Sequence, residues 1–123
     1  MARILVIEDD PQIIKLIRKM LGKEGYEVEG APDGQIGINL FREKPYDLVI
    51  TDILMPGKEG ITTIIELRRD FPTVKIIAIS GGGKIGSGDY LALAQKIGVP
   101  DTLPKPFSDI ELIEMVRKHL PDS

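Results

Sequence analysis

The sequence predicts an α/β fold of one domain, residues 1–123: five strands alternating with five helices, (βα)5, doubly wound about a five-stranded parallel sheet in the order 2-1-3-4-5. Three observations carry this. Residues 3–8 (RILVIE), 47–52 (DLVITD) and 74–80 (VKIIAIS) are nearly continuous aliphatic runs, as strands covered on both faces require. The segments between them change to a helical period. The first four helices each stand between two strands, and right-handed crossovers then place helices on both faces of a parallel sheet.

The elements follow in order. After the first strand, Ile13, Ile14, Ile17 and Leu21 share one face of a helix over 11–23, with Asp10 as N-cap and Gly25 as stop signal. The second strand, 26–31 (YEVEGA), alternates and suits an edge. Ile36, Leu40 and Phe41 mark a second helix that ends before Pro45. The third strand is 47–52, and Ile61, Ile64, Ile65 and Leu67 mark a third helix closed by Pro72. After the fourth strand, Leu91, Leu93, Ala94 and Ile97 mark a fourth helix stopped at Gly98. The weak fifth strand, 99–103 (VPDTL), suits the other edge. Ser108 with Glu111 forms a capping box for a fifth helix carrying Leu112, Ile113, Val116 and Leu120, ended by Pro121.

Composition narrows the function. With 42% apolar and 28% charged residues the chain is an ordinary globular domain rather than a disordered one. A net charge of −3 without a basic stripe argues against a nucleic-acid partner. The absence of cysteine excludes a disulfide framework. No apolar run approaches a membrane span, and MARILVIEDD meets its acidic pair too early for a secretory signal. A cytoplasmic protein without membrane contact is expected.

Polar residues recur where the apolar runs stop: Glu8 and Asp9 after the first, Asp52 after the third, Ser80 after the fourth and Lys105-Pro106 after the fifth. In the expected strand order these ends meet in the crevice beside strands one and three. Three carboxylates brought together repel, so one holds a proton or a cation neutralises them. A hard, oxygen-seeking ion such as Mg²⁺ fits best, since one histidine and no cysteine supply too few ligands for Zn²⁺. A lysine and a hydroxyl opposite the metal complete the parts needed to place a phosphoryl group, and a carboxylate can itself accept one.

ILVIEDD, DLVITDILMPGKEG, IIAIS and Lys105-Pro106-Phe107, in this order and spacing, resemble the CheY-like receiver domain of bacterial two-component response regulators, which is flavodoxin-like in fold. The motif D-x-x-M-P-x-x-x-G from Asp52 to Gly60 with the downstream K-P-F is specific. The resemblance implies that Asp52 accepts a phosphoryl group from the phosphohistidine of a sensor histidine kinase or phosphotransfer protein. It also implies Mg²⁺ held by Asp9 and Asp52, by Glu8 through water and by the backbone carbonyl of Leu54. Ser80 is then the switch hydroxyl, and Lys105, joined to Pro106 by a cis peptide, contacts the phosphoryl group. Met55 and Pro56 shape the turn after Asp52. Lys15, Arg18, Lys19 and Lys23 lie on the first helix near the expected kinase-docking surface. Self-phosphorylation and autodephosphorylation at Asp52 would be the only chemistry, with no enzyme turnover.

Two positions depart from the family pattern. Thr102 stands where an aromatic residue usually precedes the lysine, and Ser80 is followed by Gly81-Gly82-Gly83. The expected output route is therefore the 81–88 loop and the face of helix 4, strand 5 and helix 5, acting on a downstream protein. With no fused domain after residue 120, a stand-alone switch is expected, and a phosphate sink without dedicated output is an alternative. Other readings fit less well. Gly81, Gly83 and Gly86 match G-x-G-x-x-G, with Asp101 near the place of a ribose-binding acid, but only one strand remains after them. No P-loop can be drawn. An Mg²⁺-dependent aspartyl phosphatase needs an acid where Leu54 stands. A flavin-binding electron-transfer module needs a phosphate loop where Glu8-Asp9-Asp10-Pro11 would repel phosphate. His119 is read as a last-turn cation suited to the helix dipole.

Overall fold

In the computed structural model the residues described are 2–53, 60–80, 98–99 and 101–121. They form β1 (Arg3–Ile7), α1 (Pro11–Gly22), β2 (Glu27–Ala31), α2 (Gly34–Glu43), β3 (Leu48–Asp52), α3 (Gly60–Asp70), β4 (Ile76–Ser80), β5 (Thr102–Pro104) and α4 (Asp109–His119). The five strands are all parallel, in the order β2-β1-β3-β4-β5. The expected fold class, strand order and edge strands are thus all present. The fourth helix expected at Leu91–Ile97 lies outside the described residues.

The aliphatic runs are continuous because both faces of the sheet are covered. Alternate side chains point to opposite faces. Leu5, Ile7, Val49, Ile76 and Ala78 share one core with Ile38 and Phe41 of α2 and Ile64 and Leu67 of α3. Ile4, Val6, Leu48, Ile50, Ile77 and Ile79 share the other with Ile17 and Leu21 of α1 and Leu112 and Val116 of α4. Each such fully buried side chain contributes on the order of 1.5–3 kcal/mol. A charge at Ile50 would leave an unpaired ion in the middle of the sheet.

The helix starts obey the expected chemistry. The Asp10 carboxylate accepts from the Gln12 N–H at 2.9 Å, and Pro11 opens α1. Asp33, not anticipated, caps α2 by accepting from the Ile36 N–H at 2.9 Å. Ser108 and Glu111 form the reciprocal capping box, at 3.1 and 2.8 Å. Gly25, with φ of +91°, turns the chain from α1 into β2.

Several boundaries move. β1, β2 and β3 are each one residue shorter than 3–8, 26–31 and 47–52, although the Glu8 N–H still donates to the Ala31 carbonyl at 3.0 Å. α1 stops at Gly22, with Lys23 as its cap. β4 starts at Ile76 rather than 74 because the Val74 N–H still closes the turn after α3, donating to the Phe71 carbonyl at 3.0 Å. β5 runs Thr102–Pro104 rather than 99–103. Its ladder is entered where the Ala78 N–H donates to the Asp101 carbonyl at 3.1 Å.

Candidate functional site: an acidic cleft at the carboxyl ends of the strands

Because β1 and β3 are parallel neighbours, the residues that leave their carboxyl ends emerge side by side. Glu8 and Asp9 follow β1, and Asp52 is the last residue of β3. One oxygen from each of the three carboxylates lies within 4.8 Å of the others. Glu8 and Asp52 are buried, at 1% and 2% exposure, while Asp9 faces solvent. The strands deliver the first two into the protein rather than into water, which is why these loop-end acids are not ordinary solvated ones.

Lys105 leaves the end of β5 and crosses in front of β4 to reach them. Its Nζ donates to Glu8 Oε1 at 2.6 Å and to Asp52 Oδ2 at 2.9 Å. The peptide bond from Lys105 to Pro106 is cis, as expected. The lysine therefore pairs with both buried carboxylates, a role beyond the phosphoryl contact expected for it. Glu8 Oε2 also accepts from the Asp10 N–H at 3.0 Å.

The balance of charge shows in Glu8. Burial pushes its carboxyl up to about 7. The Lys105 hydrogen bond pulls against this, Asp9 adds to it, the Asp10 amide pulls down again and the Asp52 charge adds a smaller upward push. For Lys105, burial alone would lower the ammonium, but Glu8 and Asp52 outweigh it and hold its pKa above the usual lysine value. Among the described residues the cluster presents oxygen donors only, two of them buried and mutually repelling. That donor set fits a hard divalent cation that keeps part of its water, and not a thiophilic or imidazole-seeking metal.

The backbone around Asp52 is tightly held. Thr51 Oγ1 donates to the Asp52 carbonyl at 3.2 Å, and the Ile53 N–H donates to the Ile79 carbonyl at 3.0 Å. Ser80 ends β4, paired in register with Pro104, and Thr102 opens β5, half-buried opposite Ala78. Leu54, Met55, Pro56 and the 81–88 loop lie outside the described residues. Lys15, Arg18, Lys19 and Lys23 are exposed along α1.

Asp101 and His119 lie away from this cleft. Asp101 precedes β5, at the other end of the strand from Lys105, and its carboxylate meets His119 Nε2 at 2.6 Å and Lys118 Nζ at 2.8 Å. These contacts hold the Asp101 carboxyl below the usual range, Lys118 contributing most, with burial opposing. His119 is thus packed against a buried carboxylate instead of only serving a helix end, and Asp101 is a structural partner instead of a ribose ligand.

A profile of the response regulator receiver domain matches residues 4–117. The chain belongs to the response regulator receiver family. This receiver domain is 35% identical over 117 residues to the transcriptional regulatory protein CpxR of Klebsiella pneumoniae subsp. pneumoniae (strain HS11286), covering 95% of the chain and 48% of that protein. It is 39% identical over 110 residues to the transcriptional regulatory protein RprY of Bacteroides fragilis (strain YCH46), covering 89% and 45%. The chain spans about half the length of the curated relatives it matches. The crystal structure of a response regulator receiver domain protein from Clostridium thermocellum superposes with a TM-score of 0.90 at 31% identity, covering 98% of this chain and 95% of that one. Receiver domains are phosphoacceptor signalling switches of two-component systems, not turnover enzymes, and they generally bind Mg²⁺ at an acidic pocket. Response regulators work with histidine kinases and downstream targets. Among the described residues no helix is long and apolar enough to cross a membrane.

Proposed function

We propose that Asp52 is the phosphoryl acceptor of this receiver domain, taking the group from the phosphohistidine of a sensor histidine kinase or phosphotransfer protein in the cytoplasm. The observation that carries the proposal is the buried Asp52 carboxylate at the end of β3 with the Lys105 ammonium 2.9 Å away. Asp9 and Asp52 would hold Mg²⁺ directly, Glu8 through a water and Leu54 through its backbone carbonyl. When bound, the ion supplies positive charge to phosphoryl oxygens.

The step needs little covalent machinery from the chain. A carboxylate oxygen of Asp52 bonds to phosphorus as the phosphorus–nitrogen bond of the donor breaks, and the bonding pair stays on the imidazole, which takes a proton. Lys105 neutralises charge on the arriving group, and the Ser80 hydroxyl donates to it. The phosphoryl group would carry a charge of about −1.5 to −2 into a cleft where Lys105 already pairs with two carboxylates. The altered balance would leave through the 81–88 loop and the face made by the fourth expected helix, β5 and α4, and there it would regulate a protein partner.

Incubation with Mg²⁺ and acetyl phosphate, followed by intact mass, tests this. One base-labile adduct of about 80 Da is expected, a single phosphoryl group. It should be absent in Asp52→Asn and when EDTA removes the metal. Folded wild-type protein that takes no adduct, or an Asp52→Asn variant that still does, would overturn the assignment.

A further inference from the structure

The fold brings the start of α3 against the end of β3 more closely than a side chain allows. A Cβ placed on Gly60 would stand 2.2 Å from the Asp52 carbonyl oxygen, 2.3 Å from Ile53 Cα and 2.9 Å from the Asp52 carbonyl carbon. All three are backbone atoms, so no rotamer change relieves the overlap. Ordinary contact begins near 3.4 Å, so the separation from the carbonyl oxygen would have to open by about 1.2 Å.

Neither side of this contact is loose. Asp52 is paired with Ile79 in the centre of the sheet, and its carbonyl accepts from Thr51 Oγ1 at 3.2 Å. α3 is fastened by Thr63, Ile64 and Leu67, all fully buried. Opening the contact therefore either lifts the first turn of α3 or displaces the Asp52 backbone, and a displaced backbone carries its carboxylate with it. That carboxylate sits 2.9 Å from Lys105 Nζ.

We propose that Gly60 is a positioning residue for the Asp52 carboxylate: its bare Cα lets α3 close on the Asp52–Ile53 backbone, and this closure sets where the acceptor stands relative to Lys105 and Glu8. The proposal rests on Asp52 being the acceptor. The last glycine of D-x-x-M-P-x-x-x-G then has a physical task, close approach, rather than a turn. Misplacement of a reacting group by about 1 Å can lower a rate on the order of a hundredfold.

The test compares Gly60→Ala with Leu67→Val, which loosens α3 from within the core without touching the Asp52 backbone. Two readouts are taken. One is the side-chain ammonium NMR signal of Lys105 in metal-free protein, which reports its bridge to Asp52. The other is the rate of adduct formation with acetyl phosphate at saturating Mg²⁺. Gly60→Ala should shift the Lys105 signal and slow phosphorylation by about 10- to 100-fold. Leu67→Val should leave the signal in place and the rate within about twofold, even at an equal loss of thermal stability. An unshifted Lys105 signal in Gly60→Ala, or rates that fall in parallel with melting temperature in both variants, would overturn the proposal. If Gly60→Ala does not fold in buffer, trimethylamine N-oxide restores the bias toward the folded state, and both readouts are made there. A chain unfolded even then makes Gly60 a determinant of folding, which also overturns it. Wild-type protein that takes no phosphoryl group would refute the acceptor assignment instead, and the Lys105 signal alone would then decide whether Gly60 sets the carboxylate.

Discussion

Removing the Lys105 ammonium should cost stability, and Mg²⁺ should give back more to the variant than to the wild type. Lys105→Met keeps the length and apolar stem of the side chain and deletes only the charge. Two hydrogen-bonded ion pairs are lost, at 2.6 and 2.9 Å, to carboxylates with side-chain exposures of 1% and 3%. At an effective dielectric constant near 20, each pair is worth roughly 6 kcal/mol of gross attraction. Most of that does not survive as net stability. Burying the ammonium, whose own side chain is 17% exposed, costs several kcal/mol that the variant no longer incurs.

Glu8 limits the loss further. Its carboxyl is already pushed up to about 7 with Lys105 present. Without the lysine it would rise further and take a proton near neutral pH, which limits the uncompensated charge left in the cleft. The expected net loss in EDTA at neutral pH is about 2 kcal/mol, below the roughly 3–5 kcal/mol for stranding a buried ion that cannot neutralise itself. On the proposed ligand set Mg²⁺ would compete with Lys105 for the same carboxylates, so the variant should bind the ion about tenfold more tightly and gain about 1.4 kcal/mol more from saturating metal. Urea unfolding followed by circular dichroism, in EDTA and in Mg²⁺, measures both quantities. A variant as stable as wild type in EDTA, or an equal gain from Mg²⁺ in the two proteins, would refute this account of the cleft.

Two further predictions concern the frame. Asp101→Asn should destabilise the fold by about 2 kcal/mol at pH 7, because it removes the charge from hydrogen bonds to Lys118 and His119. The folded-state pKa of Asp101 lies below its ordinary value of 3.8, so this stabilisation is complete above about that pH and is lost as pH falls through the folded value. Denaturant melts of the two proteins should therefore converge in strong acid, and a gap that persists unchanged there contradicts the assignment. Ser108→Ala breaks the capping box of α4 and should cost about 1 kcal/mol, read as a lowered urea midpoint at unchanged slope, without altering phosphorylation. A midpoint that does not move would show that the cap contributes nothing.

The strands were readable in the sequence because each central one fills two cores at once, which forbids polar interruption until the strand ends. Ile4 to Ile7 shows this directly: neighbouring residues face opposite cores, and all four are apolar. The same rule makes the first carboxylate after each run conspicuous. β5 broke the rule, since it is a three-residue edge strand, and the apolar Val99 drew the expected boundary three residues early although it lies outside the ladder. Apart from the local Asp33 cap of α2, the contacts left unread join residues well apart in the sequence. Lys105 and Glu8 are 97 residues apart, and nothing local indicates that the lysine crosses β4 to bridge two carboxylates. Asp101 and His119 meet only because the last turn of α4 packs beside the segment entering β5, a placement no periodicity encodes. Gly60 was visible as a motif letter, but its reason is a backbone approach that exists only in three dimensions.

These features have one source. A sheet covered on both faces must end its strands inside the protein, so the acids that terminate β1 and β3 are desolvated as a consequence of the fold. Desolvated acids in contact require a proton or a cation, and the described cation follows β5, the shortest strand, paired on one side only. The charge balance of the cleft is therefore carried in part from an edge strand. On the reading of Asp52 as acceptor, adding negative charge there changes the load on Lys105 before it changes anything in the central strands, whose positions are fixed by two full cores. On that reading the fold would separate an acceptor fixed by β3 and the close approach of Gly60 from a readout attached to an edge, a division that would let one added group move a surface without disturbing the core.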